Sequence, residues 1–268
     1  MIQEIQPSCF NNTYQPREPR KSDVVFSFEK DKIFLKEDYS FFHIEDYTHL
    51  DELYFLFSID DTQYYLHPTN KTNTTMTMQE FRRYMPRATA FAVLTAYHIA
   101  SWRKENHYCG CCGREMVDDE KERARRCPNC NHIIYPKISP AVIVGIVNDK
   151  DQIVLTKYKD RPSVGYALVA GFCEIGETIE DTIKREVKEE VGLKVKDITY
   201  YKSQPWALSS SLLLGFFCRV DGSEEIYVDG IELKEANWFS KEDIPEFNDT
   251  SSLTAEMKRI FMKGNIPW

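Results

Sequence analysis

The sequence predicts an α+β protein in which a sandwich of helices and a sheet follows a four-cysteine metal ribbon and a small β-rich region. Two observations support this prediction. Two C-x-x-C pairs, which begin at Cys109 and Cys127, stand in the middle of a chain of 268 residues. Strand-like segments precede the pairs, and further strands flank a strongly amphipathic helix after them. We therefore expect three domains, which cover residues 1–105, 106–135 and 136–268.

The first predicted domain is β-rich and closes with a helix. Its strand-like runs cover residues 24–28, 32–35, 53–57 and 63–66. The polar residues 58–62 between the last two runs indicate a hairpin. Residues 86–106 predict a helix, since they are rich in alanine and carry Pro86 at a plausible first turn. Arg82 lies just before this helix; its guanidinium suits phosphate, but plain surface charge explains it as well.

The second predicted domain is a zinc ribbon. Its four ligands are Cys109, Cys112, Cys127 and Cys130. Two C-x-x-C pairs are the recurring form of a tetrahedral site with four thiolates, which is structural because no position is left open for a substrate. Cys111 lies inside the first pair without keeping its spacing. The basic residues 121–126 between the pairs fit solvated charge as well as a phosphate or nucleic-acid contact.

The overall composition excludes several classes of protein. A net charge of −8 argues against a non-specific nucleic-acid binder, which would need a basic surface. No uninterrupted apolar run approaches the roughly 18 residues of a membrane span, and residues 1–10 do not resemble a signal segment. Most of the cysteines cluster as metal ligands do in reducing compartments. We expect a cytoplasmic protein without a membrane partner.

The third predicted domain holds strands around one conspicuous helix. The strands are expected at residues 141–147, 152–157, 167–170, 195–203, 212–220 and 232–239, with a last helix at residues 251–262. Gly171 and Gly176 bracket a loop, and Thr178 is a plausible cap for the helix that follows. An apolar stripe recurs every four residues, at Ile179, Ile183, Val187 and Val191. Gly192 suits the helix end.

One face of this helix is acidic. Glu186, Glu189 and Glu190 share it, and like charges at this spacing repel. An acidic surface could tolerate that repulsion, but Glu177 just before the helix and Arg185 within it are spaced to pair with each other. A hard divalent cation relieves such repulsion, because Mg²⁺ prefers carboxylate oxygens, waters and phosphates. The pattern therefore predicts a divalent-cation site.

Residues 171–193 fill every fixed position of the Nudix box, G-x5-E-x7-R-E-U-x-E-E-x-G-U with U apolar. The matching residues are Gly171, Glu177, Arg185, Glu186, Val187, Glu189, Glu190, Gly192 and Leu193. The zinc ribbon directly before it, the β-rich region before that, and residues 203–206 (Ser-Gln-Pro-Trp) after it narrow the match. Together these features resemble the NADH pyrophosphatase family of Nudix hydrolases, which also removes NAD caps from RNA.

The resemblance implies a set of site residues. Glu186 and Glu190 would bind Mg²⁺ or Mn²⁺, with Glu189 close by, and the Ala170 carbonyl and Glu235 would complete the coordination. Glu177 and Arg185 would complete the catalytic set. Phe172 would stack on the nicotinamide. The dinucleotide site would further be lined by Tyr135, Glu122, Gln204, Pro205, Trp206 and Ser211. A homodimer is implied too, with Arg82 contacting phosphate from the partner's side.

The implied reaction splits NAD(H) at its pyrophosphate into nicotinamide mononucleotide and AMP, with Glu189 as the base and Glu235 as the alternate. Where the family motif reads Pro-Phe-Pro, this chain has Ala207, Leu208 and Ser209. The change keeps two substrates open beside NAD(H), ADP-ribose and a dinucleoside polyphosphate, whereas the basic residues 123–126 favour NAD-capped RNA. A different class, a zinc-ribbon module that binds nucleic acid or protein, is the remaining alternative.

Overall fold

The computed structural model describes residues 1–15, 17–68, 72–160, 165–228, 230 and 232–268. The chain divides into two compact units, residues 2–137 and residues 138–268, and the second also includes Met1. Across the described ranges, no helix combines the length and the apolar character that a membrane crossing needs. The domain boundaries expected at residues 105 and 135 stay predictions.

The first unit contains eleven short strands and two helices among its described residues. They are β1 Phe10–Asn11, β2 Val24–Phe26, β3 Phe28–Glu29, β4 Lys32–Phe34, β5 Phe42–His43, β6 Tyr54–Ile59, β7 Thr62–Leu66, β8 Thr75–Thr77, α1 Met78–Tyr84, α2 Arg87–Glu105, β9 Val117–Asp118, β10 Arg125–Arg126 and β11 Ile133–Ile134. The strands form a five-stranded sheet in the order β1-β6-β7-β2-β5 and two three-stranded sheets, β3-β4-β8 and β11-β10-β9. The last of these is the ribbon.

Local signals explain most of these elements. The predicted hairpin is confirmed: β6 and β7 meet at a turn in which Asp60 has a φ of 52°. Helix α2 follows Pro86, as its sequence predicts. The sequence interpretation missed α1, although Thr77 and Glu80 form a capping box there. The Thr77 N–H donates to the Glu80 carboxylate at 2.9 Å, and the Glu80 N–H donates to the Thr77 hydroxyl at 3.2 Å.

The second unit contains six strands and two α-helices among its described residues. They are β12 Ser139–Val147, β13 Ile153–Tyr158, β14 Val169–Phe172, α3 Ile179–Val191, β15 Val195–Trp206, β16 Ser211–Val220, β17 Leu233–Phe239 and α4 Leu253–Met262. The strands form one sheet in the order β15-β16-β12-β13-β17, and β14 pairs with β12. Strands β12 and β16 are parallel, whereas the other pairs are antiparallel.

The central strand β12 faces two hydrophobic cores, because successive side chains of a strand point to opposite faces. Val142 and Val144 pack into the core that includes the apolar stripe of α3. Ile143 and Val147 pack into the core that includes Leu253, Met257 and Phe261 of α4. The sheet therefore lies between α3 and α4, which confirms the predicted sandwich of helix, sheet and helix.

Candidate active site

Helix α3 has the ends that its sequence predicts. The Thr178 hydroxyl accepts a hydrogen bond from the Asp181 N–H at 3.1 Å. Gly192 ends the helix with a left-handed φ of 74°. The buried stripe of α3 consists of Ile183, Val187 and Val191. Since this stripe is anchored in the core, the rotation of the helix is set, and with it the direction of the carboxylates.

Arg185 ties the loop before α3 to the helix itself. Its Nε and Nη2 atoms donate to the two carboxylate oxygens of Glu177 at 2.6 and 2.9 Å. Nη1 donates to Glu186 at 2.7 Å and to Glu189 at 3.1 Å, and Nη2 also donates to the Phe172 carbonyl at 3.0 Å. The hydrogen bonds from Arg185 lower the pKa of Glu177 to about 2. The predicted pair of Glu177 and Arg185 is thus present.

The Glu186 carboxylate lies directly on the backbone of β14. A Cβ atom added to Gly171 would stand 1.9 Å from the carboxyl carbon of Glu186 and 2.1 and 2.3 Å from its oxygens. A side chain at this position would displace the Glu186 carboxylate, whereas glycine leaves room for it. Burial raises the pKa of Glu186 above its usual range, against the opposing effect of Arg185.

Glu190 is the most buried acid of the cluster, with 8% of its surface exposed. Its Oε2 atom has no hydrogen-bond partner among the described residues. Burial, reinforced by the nearby charges of Glu232 and Glu186, raises the pKa of Glu190 to about 8, and the Ala170 N–H opposes that rise. A buried carboxylate oxygen without a partner is costly unless a cation or a proton neutralises it.

Three further acidic residues, Glu189, Glu232 and Glu235, differ in exposure and in contacts. Glu189 has 59% of its side chain exposed, and its described contact is with Arg185. Glu232, which the sequence interpretation did not select, adds negative charge near both Glu186 and Glu190. Glu235, which it did select, instead accepts a hydrogen bond from the Tyr166 hydroxyl at 2.9 Å. These contacts favour Glu232 over Glu235 as the late acidic residue beside the cluster.

These residues fit a hard divalent cation. Carboxylates with raised pKa values lie close enough to repel, and one buried oxygen is unsatisfied, so a cation with oxygen ligands would remove both penalties. Glu186 and Glu190 offer the ligands, with Glu232 near them. Strand β14 places Ala170 opposite Ile143 of β12, beside the glycine that carries the Glu186 carboxylate.

The four predicted zinc ligands converge in the first unit. The sulfur atoms of Cys109, Cys112, Cys127 and Cys130 all lie within 4.8 Å of one another. Hydrogen bonds led by the Arg114 N–H lower the pKa of Cys112 to about 6, which favours the thiolate that zinc requires. Cys111 is outside this group, as its spacing predicts. The four cysteines therefore fit a structural zinc ion.

The segment from the end of β15 to the start of β16 departs from the predicted pocket in one respect. Gln204 is fully buried: its amide donates to the Ser251 carbonyl at 2.7 Å and its carbonyl accepts from the Leu253 N–H at 2.6 Å. The side chain thus clamps the start of α4. Ser211 is also buried, and its hydroxyl donates to the Ser209 carbonyl at 3.0 Å. Their roles in substrate binding stay predictions.

Other residues that were predicted to line the dinucleotide site are more exposed to solvent. Phe172 has 49% of its surface exposed, Pro205 is exposed and Trp206 is partly buried. Tyr135, Glu122 and Arg82 belong to the first unit. The Tyr135 hydroxyl donates to the Glu122 carboxylate at 2.8 Å, so the structure brings these two together.

The basic residues 121–126 are largely engaged within the first unit. Arg123 donates to the Leu56 carbonyl. Arg125 is buried and donates to the Met116 carbonyl. Arg126 donates to Asp119 at 2.9 Å. These contacts favour the interpretation of the run as structural charge rather than as a nucleic-acid surface.

Comparison with known proteins agrees with this geometry. The NUDIX domain family matches residues 137–260, and the NADH pyrophosphatase zinc ribbon domain matches residues 104–135. Residues 137–260 therefore match a NUDIX domain. The recognition of this chain as a Nudix protein with an NADH pyrophosphatase zinc ribbon is confirmed, and a Nudix domain with this acidic cluster implies a divalent cation.

Two relatives and one solved structure resemble parts of this chain. The chain is 42% identical over 147 residues to the NAD-capped RNA hydrolase NudC of Escherichia coli strain SMS-3-5, a match that covers 55% of this chain and 56% of that protein. The NudC of E. coli O9:H4 is 41% identical over the same length. The chain thus matches little more than half the length of these relatives. A NUDIX hydrolase structure from Nitrosomonas europaea is 27% identical, covering 58% of this chain and 90% of that one, with a TM-score of 0.48.

Proposed function

We propose that this Nudix protein hydrolyses the pyrophosphate bond of NAD(H) to nicotinamide mononucleotide and AMP, and that it removes NAD caps from RNA 5′ ends. The observation that supports the chemistry is the buried Oε2 atom of Glu190, which lies beside the Glu186 carboxylate and has no hydrogen-bond partner within the described part of the chain. The zinc ribbon and the likeness to NAD-capped RNA hydrolases support the substrate.

In this proposal Glu186 and Glu190 hold Mg²⁺ or Mn²⁺, with Glu232 as the further acidic group. A bound divalent cation neutralises the pyrophosphate and lowers the pKa of a bound water. Arg185 holds Glu186 and Glu189 in place and pairs with Glu177, so the carboxylates keep their positions without substrate. Phe172 stands exposed at the end of β14, where a ring can stack on it.

We assign the base to Glu189, which takes a proton from the attacking water. Its side chain is the most exposed of the α3 cluster and is bonded to Arg185 through one oxygen, so the other oxygen can accept. Glu235, the alternate, lies on β17 rather than in the α3 cluster, and its Oε1 atom accepts from the Tyr166 hydroxyl at 2.9 Å and lies 3.8 Å from the Lys157 ammonium. Water adds across the P–O–P bond, so each product carries one phosphate.

The test is product analysis of the purified protein with NADH and Mg²⁺ or Mn²⁺, against Glu190→Gln. We expect AMP and the reduced mononucleotide from the wild type and a loss of orders of magnitude in the variant, because the amide cannot neutralise a cation. Glu180→Gln, on the exposed first turn of the same helix, is the matched control and should keep full activity. Near-full activity in Glu190→Gln would refute the assignment.

A second substrate, ADP-ribose, is favoured by one observation. Ala207–Ser209 forms a turn of 3₁₀ helix followed by Ser210 in a left-handed conformation, where the related motif carries two prolines and an aromatic ring. Loss of these rigid residues removes part of a dinucleotide pocket. Turnover of ADP-ribose without turnover of NADH would support this alternative.

The proposal extends to a cytoplasmic homodimer. All eight cysteines are free of disulfides, and thiolates that bind zinc persist in reducing compartments. The homodimer rests on the family resemblance. Sedimentation of the purified protein at micromolar concentration tests it, and a monomer that still turns over NADH would refute a shared pocket.

A further inference from the structure

Thr182 is a fully buried polar residue near the start of α3, with 0% of its surface exposed. Ile183 beside it belongs to the apolar stripe, whereas Asp181 and Lys184 on either side of the two are exposed. Valine has nearly the shape of threonine and would fill this position without burying a hydroxyl, which is costly unless the hydroxyl is hydrogen-bonded. The role of Thr182 therefore depends on where its hydroxyl proton goes.

The Thr182 hydroxyl has two acceptors within reach. Oε2 of Glu177 lies 2.9 Å away, and the Thr178 carbonyl lies 3.1 Å away. The Thr178 carbonyl already accepts the Thr182 N–H at 3.0 Å. A hydroxyl has a single proton to donate, and a hydrogen bond to an ionised carboxylate is stronger than one to a neutral carbonyl. The geometry therefore favours Glu177 as the acceptor.

The Glu177 carboxylate accepts from three different parts of the chain. Its Oε2 atom accepts the Thr182 hydroxyl from the helix and the Glu174 N–H from the loop, the latter at 3.1 Å. Arg185 donates to both of its oxygens, at 2.6 and 2.9 Å. A carboxylate offers about four lone-pair sites, and four donors reach this one. Glu177 is thus an anchor between the loop and the helix rather than a free base.

Arg185 connects this anchor to the acidic cluster. One edge of its guanidinium lies on Glu177, and Nη1 donates to Glu186 at 2.7 Å and to Glu189 at 3.1 Å. The guanidinium is planar and rigid, so a rotation of the Glu177 carboxylate turns the whole group. The Thr182 hydroxyl is therefore linked to two carboxylates of the cluster through two intervening side chains.

We propose that Thr182 is a positioning residue whose hydroxyl orients Glu177, and that Arg185 passes this orientation to the acidic cluster. The inference rests on the proposed function, in which the cluster holds the cation and activates water. The described hydrogen bonds of Thr182 go to Glu177 and Thr178, so it acts on the cluster only through other side chains. Its loss should change kcat more than KM, because the displaced groups are those of the chemical step.

The experiment measures kcat and KM for NADH with Mg²⁺ in Thr182→Val and Thr182→Ser. In Thr182→Val a methyl group replaces the hydroxyl 2.9 Å from the carboxylate oxygen, which is too close for a methyl, so Glu177 shifts. We expect kcat to fall about tenfold, less than the roughly 100-fold cost of a 1 Å misplacement, with KM within about twofold. Thr182→Ser keeps the hydroxyl and should keep kcat within about twofold of the wild type.

Thr156→Val is the matched control. Thr156 lies on β13 of the same unit, is also 0% exposed, and its hydroxyl has no hydrogen-bond partner among the described residues. Removing that hydroxyl should leave kcat unchanged. An equal loss of kcat in Thr156→Val and Thr182→Val would overturn the inference, because it would show a general effect of changing a buried threonine. Should Thr182→Val fail to fold, Thr182→Ala removes the hydroxyl without adding a methyl contact and should lower kcat about threefold.

A double-mutant cycle separates positioning from a general defect. If Thr182 acts through Glu177, then Thr182→Val should add almost nothing to the loss of kcat in a Glu177→Gln background. A defect independent of Glu177 would add its full effect there and would overturn the inference.

Calorimetric titration with Mn²⁺ alone gives a readout that needs no substrate. Thr182→Val should raise the Kd for Mn²⁺ about threefold, because a displaced Glu186 is a poorer ligand, whereas Thr182→Ser and Thr156→Val should not. A Thr182→Val protein with unchanged kcat and unchanged Kd would overturn the inference while leaving the proposed function intact. A wild-type protein that binds Mn²⁺ but fails to turn over NADH refutes the proposed function, and the titration then still decides whether Thr182 positions the cluster.

Discussion

Gly171→Ala is the sharpest test of the site geometry. The new Cβ would lie 1.9 Å from the carboxyl carbon of Glu186, whereas real Cβ contacts essentially never fall under 3.0 Å. The carboxylate must therefore move by about 1.1 Å, which also breaks its 2.7 Å hydrogen bond with Arg185. A displacement of that size in a catalytic group lowers activity about 100-fold, or roughly 2.7 kcal/mol in the barrier.

The assay is kcat/KM for NADH with Mg²⁺, together with the melting temperature. The clash involves the end of a flexible side chain rather than backbone, so the fold should stay intact and the melting temperature should change little. Gly165→Ala is the matched control, because an added Cβ there meets nothing within 4 Å. A Gly171→Ala protein that keeps kcat/KM within about threefold of the wild type would refute the placement of Glu186 on the backbone.

Three further predictions follow from the contacts. Arg185→Lys should lower kcat about 100-fold, since lysine cannot donate in a fork to both oxygens of Glu177; steady-state rates near the wild type would contradict this. Burial lowers the pKa of Lys258 from 10.5 to about 8, so between these pH values the unfolded chain binds more protons and stability rises with pH. Lys258→Met should therefore flatten that rise in melting curves from pH 7 to 10.5, whereas the exposed Lys263→Met should not. Cys127→Ser should release zinc and lower the melting temperature; a chromogenic chelator that still finds full zinc would contradict a four-thiolate site.

The sequence predicted the acidic helix α3 well because its signals are local. The cap at Thr178, the apolar stripe and the stop at Gly192 each act within one or two turns, and the box residues follow from their spacing. The same holds for the four predicted zinc ligands, because each C-x-x-C pair is only four residues long. Helix α1 carried an equally local signal in Thr77 and Glu80, which the sequence interpretation overlooked.

Other features depend on contacts between distant segments. Glu232 and Glu235 are three residues apart, and their separation along the chain does not show which one lies near Glu190. The structure resolves this, because Glu235 is bonded to Tyr166. Gln204 is tied to the start of α4, 47 residues further along the chain. The sequence left the basic residues 121–126 open to a phosphate contact, whereas in the structure Arg123 donates a hydrogen bond to the Leu56 carbonyl.

The sequence by itself determined the cluster of four cysteines and the helix that presents Glu186, Glu189 and Glu190, since spacing and capping are properties of neighbouring residues. Only the tertiary structure decided how deeply each acid is buried and which partner it has. The reason is physical: the pKa of Glu190 depends on its burial and on the nearby charges of Glu186 and Glu232, which come together only when α3 packs beside β14 and the residue just before β17.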